Sequence, residues 1–192
     1  MQASSKTYYS PQEYLELETQ AEFRSEYIDG QILPMAGGKI NHNKIAINLT
    51  SAISYHIRKK PYRVFMSDLR LWIPECNLYT YPDVMIASKP LVFDKNREDT
   101  ITNAVAIAEI LSDSTEKYDR GDKFRMYRTM PNFQEYLLVS QTAMQVEKFT
   151  KSDRNQWVLS EYSAAEDVIS FSSLEFEISL DELYQDVTFS AN

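Results

Sequence analysis

The stretch AVAIAEIL, residues 104–111, decides the fold. Seven of its eight residues are apolar, and polar residues do not alternate with them. A strand of this composition is covered on both faces, as strands in the centre of a sheet are. Glu109 is the exception, because burying a carboxylate costs free energy unless its charge is compensated. The stretch therefore predicts a central strand that carries one acid in need of a partner.

The segments around this strand predict a chain of helices and strands. Helices are predicted over residues 11–24, 41–59, 114–130 and 180–184, the first from a Ser-Pro capping signal. Strands are predicted over residues 63–66, 70–73, 81–87, 104–111, 135–140, 145–150 and 157–162, and the Asp-Gly pair within 27–35 predicts a hairpin. This order favours an α/β or α+β fold with a mixed central sheet flanked by helices. At 192 residues and without an internal linker, residues 1–192 are expected to form a single domain.

The overall composition excludes several classes of protein. The hydrophobic fraction of 43% and the charged fraction of 25% are average for globular domains. No apolar run is long enough to span a bilayer, and the N-terminal residues lack the pattern of an export signal. Cys76 is the only cysteine, so no disulfide can form within the chain. We therefore expect a cytoplasmic protein that has no membrane partner.

The net charge of −8 bears on nucleic-acid binding in two ways. Broad nonspecific binding needs many Lys and Arg side chains facing phosphates, so any DNA-binding surface on this chain has to be local. An acidic site for a divalent cation, however, adds negative charge to the chain. The charge is thus compatible with a metal-dependent enzyme that acts on phosphate esters.

A second acid accompanies Glu109. Asp83 follows a proline at the start of the predicted strand 81–87, so the two carboxylates converge if this strand lies beside 104–111. Two close carboxylates repel each other unless a cation lies between them. Mg²⁺ suits such a pair because it prefers oxygen ligands and keeps waters that a phosphate can displace. We therefore expect a shared cation, and not a neighbouring side chain, to compensate Glu109.

A basic group beside the attacking water is also expected in metal-assisted phosphodiester hydrolysis. The simplest place for a lysine, two residues after Glu109, is occupied by Leu111. Lys123 on the following predicted helix is the substitute, because a lysine side chain is long enough to reach the crevice from there.

Seven short motifs in order resemble the Uma-two family of restriction-endonuclease-like proteins, and the similarity covers nearly the whole chain. They are EYIDGQ (26–31), NHN (41–43), SDLR (67–70), YPDV (81–84), AEILSDST (108–115), YDRGDK (118–123) and EYLLV (135–139). One departure is the Ser-Asp-Ser at residues 112–114, where the family usually has Ser-Pro-Ser.

The resemblance implies a restriction endonuclease-like fold and the PD-(D/E)xK nuclease superfamily. It implies that Asp83, Glu109 and the backbone carbonyl of Ile110 ligate Mg²⁺ or Mn²⁺, and that Lys123 is the catalytic lysine after migration to the helix. Glu26, near the end of the first predicted helix, matches an additional acid of the superfamily. The implied function is a metal-dependent DNA endonuclease. Its partners are DNA and a second copy of the chain, because one-site subunits need two copies to cut both strands.

Each of these residues also has a structural interpretation. Glu109 can be a buried acid paired with a basic side chain, and Asp83 can be a turn residue after proline. Lys123 can pair with Asp119 on a solvated helix face. Leu111 and the net acidity favour two alternatives to a nuclease. One is a catalytically inactive binding or protein-interaction module of the same fold, and the other is an unrelated structural or regulatory protein.

Glu26 and His42 are the weaker candidates for the site. Glu26 can be bound by a nearby arginine, Arg24 or Arg70. His42 lies in an Asn-His-Asn cluster whose expected role is to cap the predicted helix that follows, with a place in the site as the alternative.

Two groups of basic residues are candidates for phosphate contact. The first is residues 58–60 with Arg63, although cations at a helix C-terminus also stabilise the helix without any ligand. The second is Arg120, Arg125 and Arg128, on the helix of Lys123.

Overall fold

Two β-sheets, a β-hairpin and the helices packed on them form the fold of the described residues, 8–35, 37–95, 97–154 and 156–189 of the computed structural model. The strands are β1 (Ser25–Ile28), β2 (Gln31–Pro34), β3 (Tyr62–Met66), β4 (Arg70–Ile73), β5 (Leu78–Thr80), β6 (Val84–Ser88), β7 (Thr100–Ile101), β8 (Ala104–Leu111), β9 (Glu135–Ser140), β10 (Val146–Lys151), β11 (Trp157–Tyr162), β12 (Val168–Phe171) and β13 (Phe176–Ser179). The α-helices are α1 (Pro11–Gln20), α2 (Ile40–His56), α3 (Glu116–Tyr118), α4 (Phe124–Tyr127) and α5 (Leu180–Leu183). None of the helices in these ranges is both long and apolar enough to cross a bilayer.

The larger sheet has the order β11-β10-β9-β8-β6-β3 and is mixed, because β8 and β9 are parallel while the other neighbours are antiparallel. β8 lies inside this sheet, and all eight of its residues are buried. The smaller sheet has the order β2-β1-β5-β4-β7, and β12 and β13 form a separate hairpin. The predicted mixed sheet with flanking helices and a central strand at 104–111 is confirmed.

The two faces of β8 pack into different cores. Ala106, Ala108 and Ile110 belong to the core that also contains the buried stripe of α2. That stripe includes Ile45, Leu49 and Ile53. Residues 107 and 111 belong to the opposite core, around α4. Full burial of a Val, Leu or Ile side chain stabilises the folded state by about 1.5–3 kcal/mol. The alternation places Glu109 on the α4 face.

Three predicted boundaries are wrong in ways that matter for the site. The first helix ends at Gln20, so Glu26 belongs to strand β1 and does not lie near the end of that helix. The predicted helix 114–130 is divided, because a π-helical turn, Asp119–Lys123, connects α3 to α4. The predicted strand 81–87 begins only at Val84, and Leu78–Thr80 forms a strand of the other sheet. A proline lacks the N–H that a ladder needs, and Pro82 lies in the break.

The helix start at Ser10 supplies a first test. Ser10 Oγ accepts a hydrogen bond from Glu13 N, and Glu13 Oε2 accepts one from Ser10 N, as the sequence predicted. We expect Ser10→Ala to lower the free energy of unfolding by about 1 kcal/mol, because the cap is lost. Ser51→Ala, at an exposed site within α2, is the matched control and should be neutral or stabilising because Ala has the higher helix propensity. Urea denaturation measures both, and equal effects of the two substitutions would contradict the capping role.

Candidate active site

The register of β6 and β8 brings Asp83 and Glu109 together. Val84 pairs with Ala108 in this antiparallel ladder, so Asp83, one residue before, falls beside Glu109. Asp83 N donates to Glu109 Oε2 over 3.2 Å, and Ile110 N donates to Asp83 Oδ2 over 2.8 Å. Hydrogen bonds from backbone N–H groups thus connect the two acids at the point where the two strands separate.

Lys123 reaches this pair from the helical segment that follows β8. Its Nζ lies 3.1 Å from Glu109 Oε1, 3.1 Å from Glu26 Oε1 and 3.5 Å from Asp119 Oδ1. Lys123 is only 6% exposed, so its pairing with Asp119 is not an exposed pair on a solvated helix face. Both residues lie in the π-helical turn, and such turns are frequent at functional sites.

Glu26 comes to the cluster from the smaller sheet. β1 pairs with β5, and Thr80 Oγ1 of β5 donates a hydrogen bond to Glu26 Oε1. The arginines that the sequence offered as its partners bind other acids: Arg24 pairs with Asp68, and Arg70 pairs with Asp99. Glu26 is therefore paired with Lys123, across the junction of the two sheets.

The compensation of Glu109 differs from the sequence-based expectation. Neighbouring side chains do contribute, because Lys123 Nζ is an ion-pair partner and Tyr127 O–H donates to Glu109 Oε1 over 2.6 Å. Sequence reasoning did not select Tyr127 or Asp119 as site residues. The available signal was their spacing, since each lies four residues from Lys123 and therefore near it on a helix.

His42 also lies in the site, and its predicted local role is wrong. α2 begins at Ile40, and its N-cap, Lys39, makes no side-chain capping bond. Asn43 Nδ2 donates to the carbonyls of Gly38 and Lys39 and so does not cap the free N–H groups. His42 Nε2 lies 3.1 Å from Asp83 Oδ2.

The cluster contains more acid than base. The carboxylates of Glu26, Glu109 and Asp119 surround the ammonium of Lys123, and Asp83 joins the cluster through the hydrogen bond from its N–H to Glu109. Burial raises the pKa of Glu109 to about 8; Lys123 opposes this rise, and the charges of Asp83 and Asp119 add to it. Burial thus favours the neutral form of Glu109, and a further positive charge in the cluster would favour its ionised form.

The pKa values of the basic members of the cluster are also raised, but the cause is the negative charge around them and not their burial. Burial acts to lower the pKa of Lys123, but Glu109 and the other nearby anionic groups outweigh burial and hold that pKa well above its ordinary value. Burial likewise acts to lower the pKa of His42, and the hydrogen bond and charge of Asp83 outweigh it and raise that pKa. The excess of carboxylate thus keeps Lys123 charged and favours the charged form of His42.

The cluster opens into a cleft of about 620 Å³. Its wall includes the acids, Lys123 and His42, together with the β2 end and the turn after β8. A larger depression of about 890 Å³, between α2 and the β12–β13 hairpin, contains none of the cluster. The two predicted basic groups do not line the cleft either; Lys60, for example, donates to the Leu174 carbonyl and Arg120 pairs with Glu116 and Glu147.

The residues present fit a hard divalent cation that keeps part of its water. Among the described residues, no three His, Cys, Asp or Glu side chains form a ready-made metal site. Mg²⁺ needs only one or two carboxylates with water and substrate oxygens. Asp83 and Glu109 supply the carboxylates. Because the N–H and C=O of a strand residue point to the same side, the Ile110 carbonyl projects toward Asp83, as its N–H does.

A family match covers most of the chain and includes every residue of this cluster. The model of the Uma2 family, described as "Putative restriction endonuclease", matches residues 11–182. The chain belongs to the Uma2 family. The resemblance that the seven motifs indicated is thereby confirmed, and the family description places this Uma2 chain among nuclease-like proteins.

Two relatives and one solved structure are similar to this chain over most of its length. Two uncharacterized proteins of Synechocystis sp. (strain ATCC 27184 / PCC 6803 / Kazusa) are similar to this Uma2 chain. The protein sll1609 is 42% identical over 85% of this chain and 92% of its own length, and slr1290 is 36% identical over 94% and 93%. The crystal structure of a "putative nuclease belonging to DUF820" from Anabaena variabilis ATCC 29413 has a TM-score of 0.72 and 19% identity, and the match covers 92% of this chain and 97% of that chain. At this identity the likeness shows the fold alone.

Proposed function

We propose that this Uma2 protein is a metal-dependent DNA endonuclease that hydrolyses phosphodiester bonds with Mg²⁺ or Mn²⁺. One observation carries the proposal: Asp83 and Glu109 are adjacent in one cleft, and Lys123 Nζ lies 3.1 Å from Glu109. Two adjacent carboxylates can hold a cation that activates water, and a lysine beside them can neutralise charge on the phosphate, so the arrangement suits metal-assisted hydrolysis of a phosphate ester.

The roles of the residues follow from their contacts. Asp83, Glu109 and the Ile110 carbonyl would hold the cation. When bound, the cation lowers the pKa of a coordinated water and stabilises negative charge on the phosphate. Lys123 would orient the attacking water or neutralise charge that develops on the phosphate. Its raised pKa keeps it protonated for this electrostatic role, so it is not suited to remove a proton.

Glu26 and Asp119 would act on Lys123. Each holds the ammonium from a different side, at 3.1 Å and 3.5 Å, and so fixes the ammonium beside Glu109. The side chain of Lys123 replaces a lysine that the strand itself lacks at Leu111. A homodimer that presents two such clefts would allow both strands of a duplex to be cut.

Plasmid cleavage tests the proposed function. We expect Asp83→Asn to lower the rate of Mg²⁺-dependent cleavage of supercoiled DNA by roughly 100-fold or more, because a metal ligand is lost. Asn keeps the oxygen that accepts the Ile110 N–H, so the fold should survive. Asp153→Asn is the matched control, because Asp153 is exposed and its substitution removes the same single negative charge. Its rate should equal that of the wild type.

Two other outcomes decide against the proposal. Equal rates for Asp83→Asn and wild type would show that the cleavage comes from elsewhere. A wild-type protein that binds DNA but leaves it intact with every divalent cation tested would support the alternative, a catalytically inactive binding module.

A further inference from the structure

His42 contacts a proposed metal ligand, Asp83, from helix α2. Among the described residues of α2, no other basic or hydrogen-bond-donating side chain does so. His42 lies in the first turn of the helix, and its side chain is 16% exposed. Its Nε2 is 3.1 Å from Asp83 Oδ2, the same oxygen that accepts the Ile110 N–H over 2.8 Å. One carboxylate oxygen is therefore held by donors from two elements, α2 and β8.

Gly38 makes room for this imidazole. A Cβ at residue 38 would lie 2.8 Å from His42 Nδ1 and 3.2 Å from its Cγ, so the ring would have to move. The preceding glycine, Gly37, differs, because a Cβ there would have no heavy atom within 4 Å. The requirement for glycine before α2 is thus specific to residue 38 and arises mainly from the place of the His42 ring, with a weaker contact to Asn43 Nδ2 at 3.3 Å.

We propose that His42, in the space that Gly38 leaves for it, is a positioning residue that fixes the Asp83 carboxylate for cation binding. The proposal rests on the proposed function, since Asp83 is a metal ligand only there. Both bonds use Oδ2, so they restrain rotation of the carboxylate and leave Oδ1 to face a cation. Donors that orient metal ligands typically change metal affinity or activity by about 10- to 100-fold when they are removed.

The same contact argues against other roles for His42. Its Nε2 is occupied by Asp83, so that nitrogen is not free to ligate the cation. An Nε2–H group can donate to Asp83 in both a neutral tautomer and the imidazolium, so positioning requires no change of protonation. His56 at the other end of α2 has no such partner: it lies beside Phe176 and Lys60, away from the cleft.

Calorimetric titration with Mn²⁺, without DNA, gives the first measurement. We expect His42→Phe to weaken Mn²⁺ binding by about 10-fold or more, and Gly38→Ala to do the same although it leaves the histidine in the chain. His42→Gln restores a donor near the place of Nε2 and should recover most of the affinity. Gly37→Ala and His56→Phe are the matched controls and should bind Mn²⁺ as the wild type does.

Hydrogen exchange of the Ile110 amide gives the second measurement, and it needs no metal. If His42 fixes Asp83, the Ile110 N–H should exchange several times faster in His42→Phe and Gly38→Ala than in the controls, at equal global stability. A purely structural role would change the melting temperature without this local effect. Wild-type affinity and exchange in His42→Phe would overturn the inference while leaving the proposed function intact. A wild type that binds no Mn²⁺ would instead refute the proposed function, and the exchange rates would still decide whether His42 positions Asp83.

Discussion

Replacing Lys123 with methionine is expected to lower the free energy of unfolding by about 3–5 kcal/mol near pH 8.5. Methionine matches most of the side chain, so the loss comes from the charge. Without the ammonium, the buried carboxylates of Glu26, Glu109 and Asp119 lose their ion-pair partner, so they have to remain charged without it or take up protons, and either outcome costs free energy. Urea denaturation of the metal-free protein in a chelating buffer measures the effect.

The pH dependence of this penalty separates charge from packing. As pH falls, Glu109 and Asp119, whose pKa values are raised, take up protons and need Lys123 less, so the penalty should shrink toward pH 5. Lys117→Met is the matched control, because Lys117 is exposed on the same helical segment and should cost less than about 0.5 kcal/mol. A Lys123→Met penalty that is small, or that stays constant with pH, would show that the ion pairs contribute little.

Replacing Glu109 with glutamine is expected to raise the free energy of unfolding at neutral and alkaline pH and to abolish the cleavage of DNA. The pKa of Glu109 is about 8 in the native state and has an ordinary value near 4.5 in the unfolded state, so the native state binds the extra proton between these values. Stability of the wild type must therefore fall as pH rises through this window. Glutamine is neutral throughout and keeps an oxygen for Tyr127 and Lys123, so the fall in stability with pH should disappear. Its NH2 group replaces the oxygen that accepts the Asp83 N–H, and this loss costs a similar free energy at every pH.

The stability of Glu109→Gln relative to the wild type should thus be constant below about pH 4.5 and increase by up to about 1.4 kcal/mol per pH unit until about pH 8. Glu166→Gln, at an exposed position, is the control and should follow the wild-type curve. Loss of stability in Glu109→Gln at alkaline pH would mean that the ion pair with Lys123 outweighs the burial of the charge. The double substitution Lys123→Met with Glu109→Gln should be more stable than Lys123→Met alone, because one buried charge is removed together with its partner.

Local patterns were sufficient for the strand that carries Glu109 and for several elements around it. The uninterrupted apolar run at residues 104–111 predicted the central strand with its observed bounds, because burial on both faces leaves no room for polar residues. The Ser-Pro start of α1 and the Asp-Gly hairpin were predicted for the same kind of reason, since each depends on neighbours in sequence. Local patterns failed at the π-helical turn and at the two-residue strand β7, because both owe their form to packing against distant segments.

The sequence by itself determined the family, the mixed sheet and the presence of two acids, one within the central strand and one next to the start of another strand, because strand periodicity and short motifs encode these features locally. Only the tertiary structure decided what surrounds Glu109. Lys123 arrives from a π-helical turn, Glu26 from the other sheet and His42 from the first turn of α2, and these approaches depend on how the sheets and helices pack. Compensation of a buried charge acts through space over a few ångströms, so residues far apart in sequence supply it, and no local pattern records their distance.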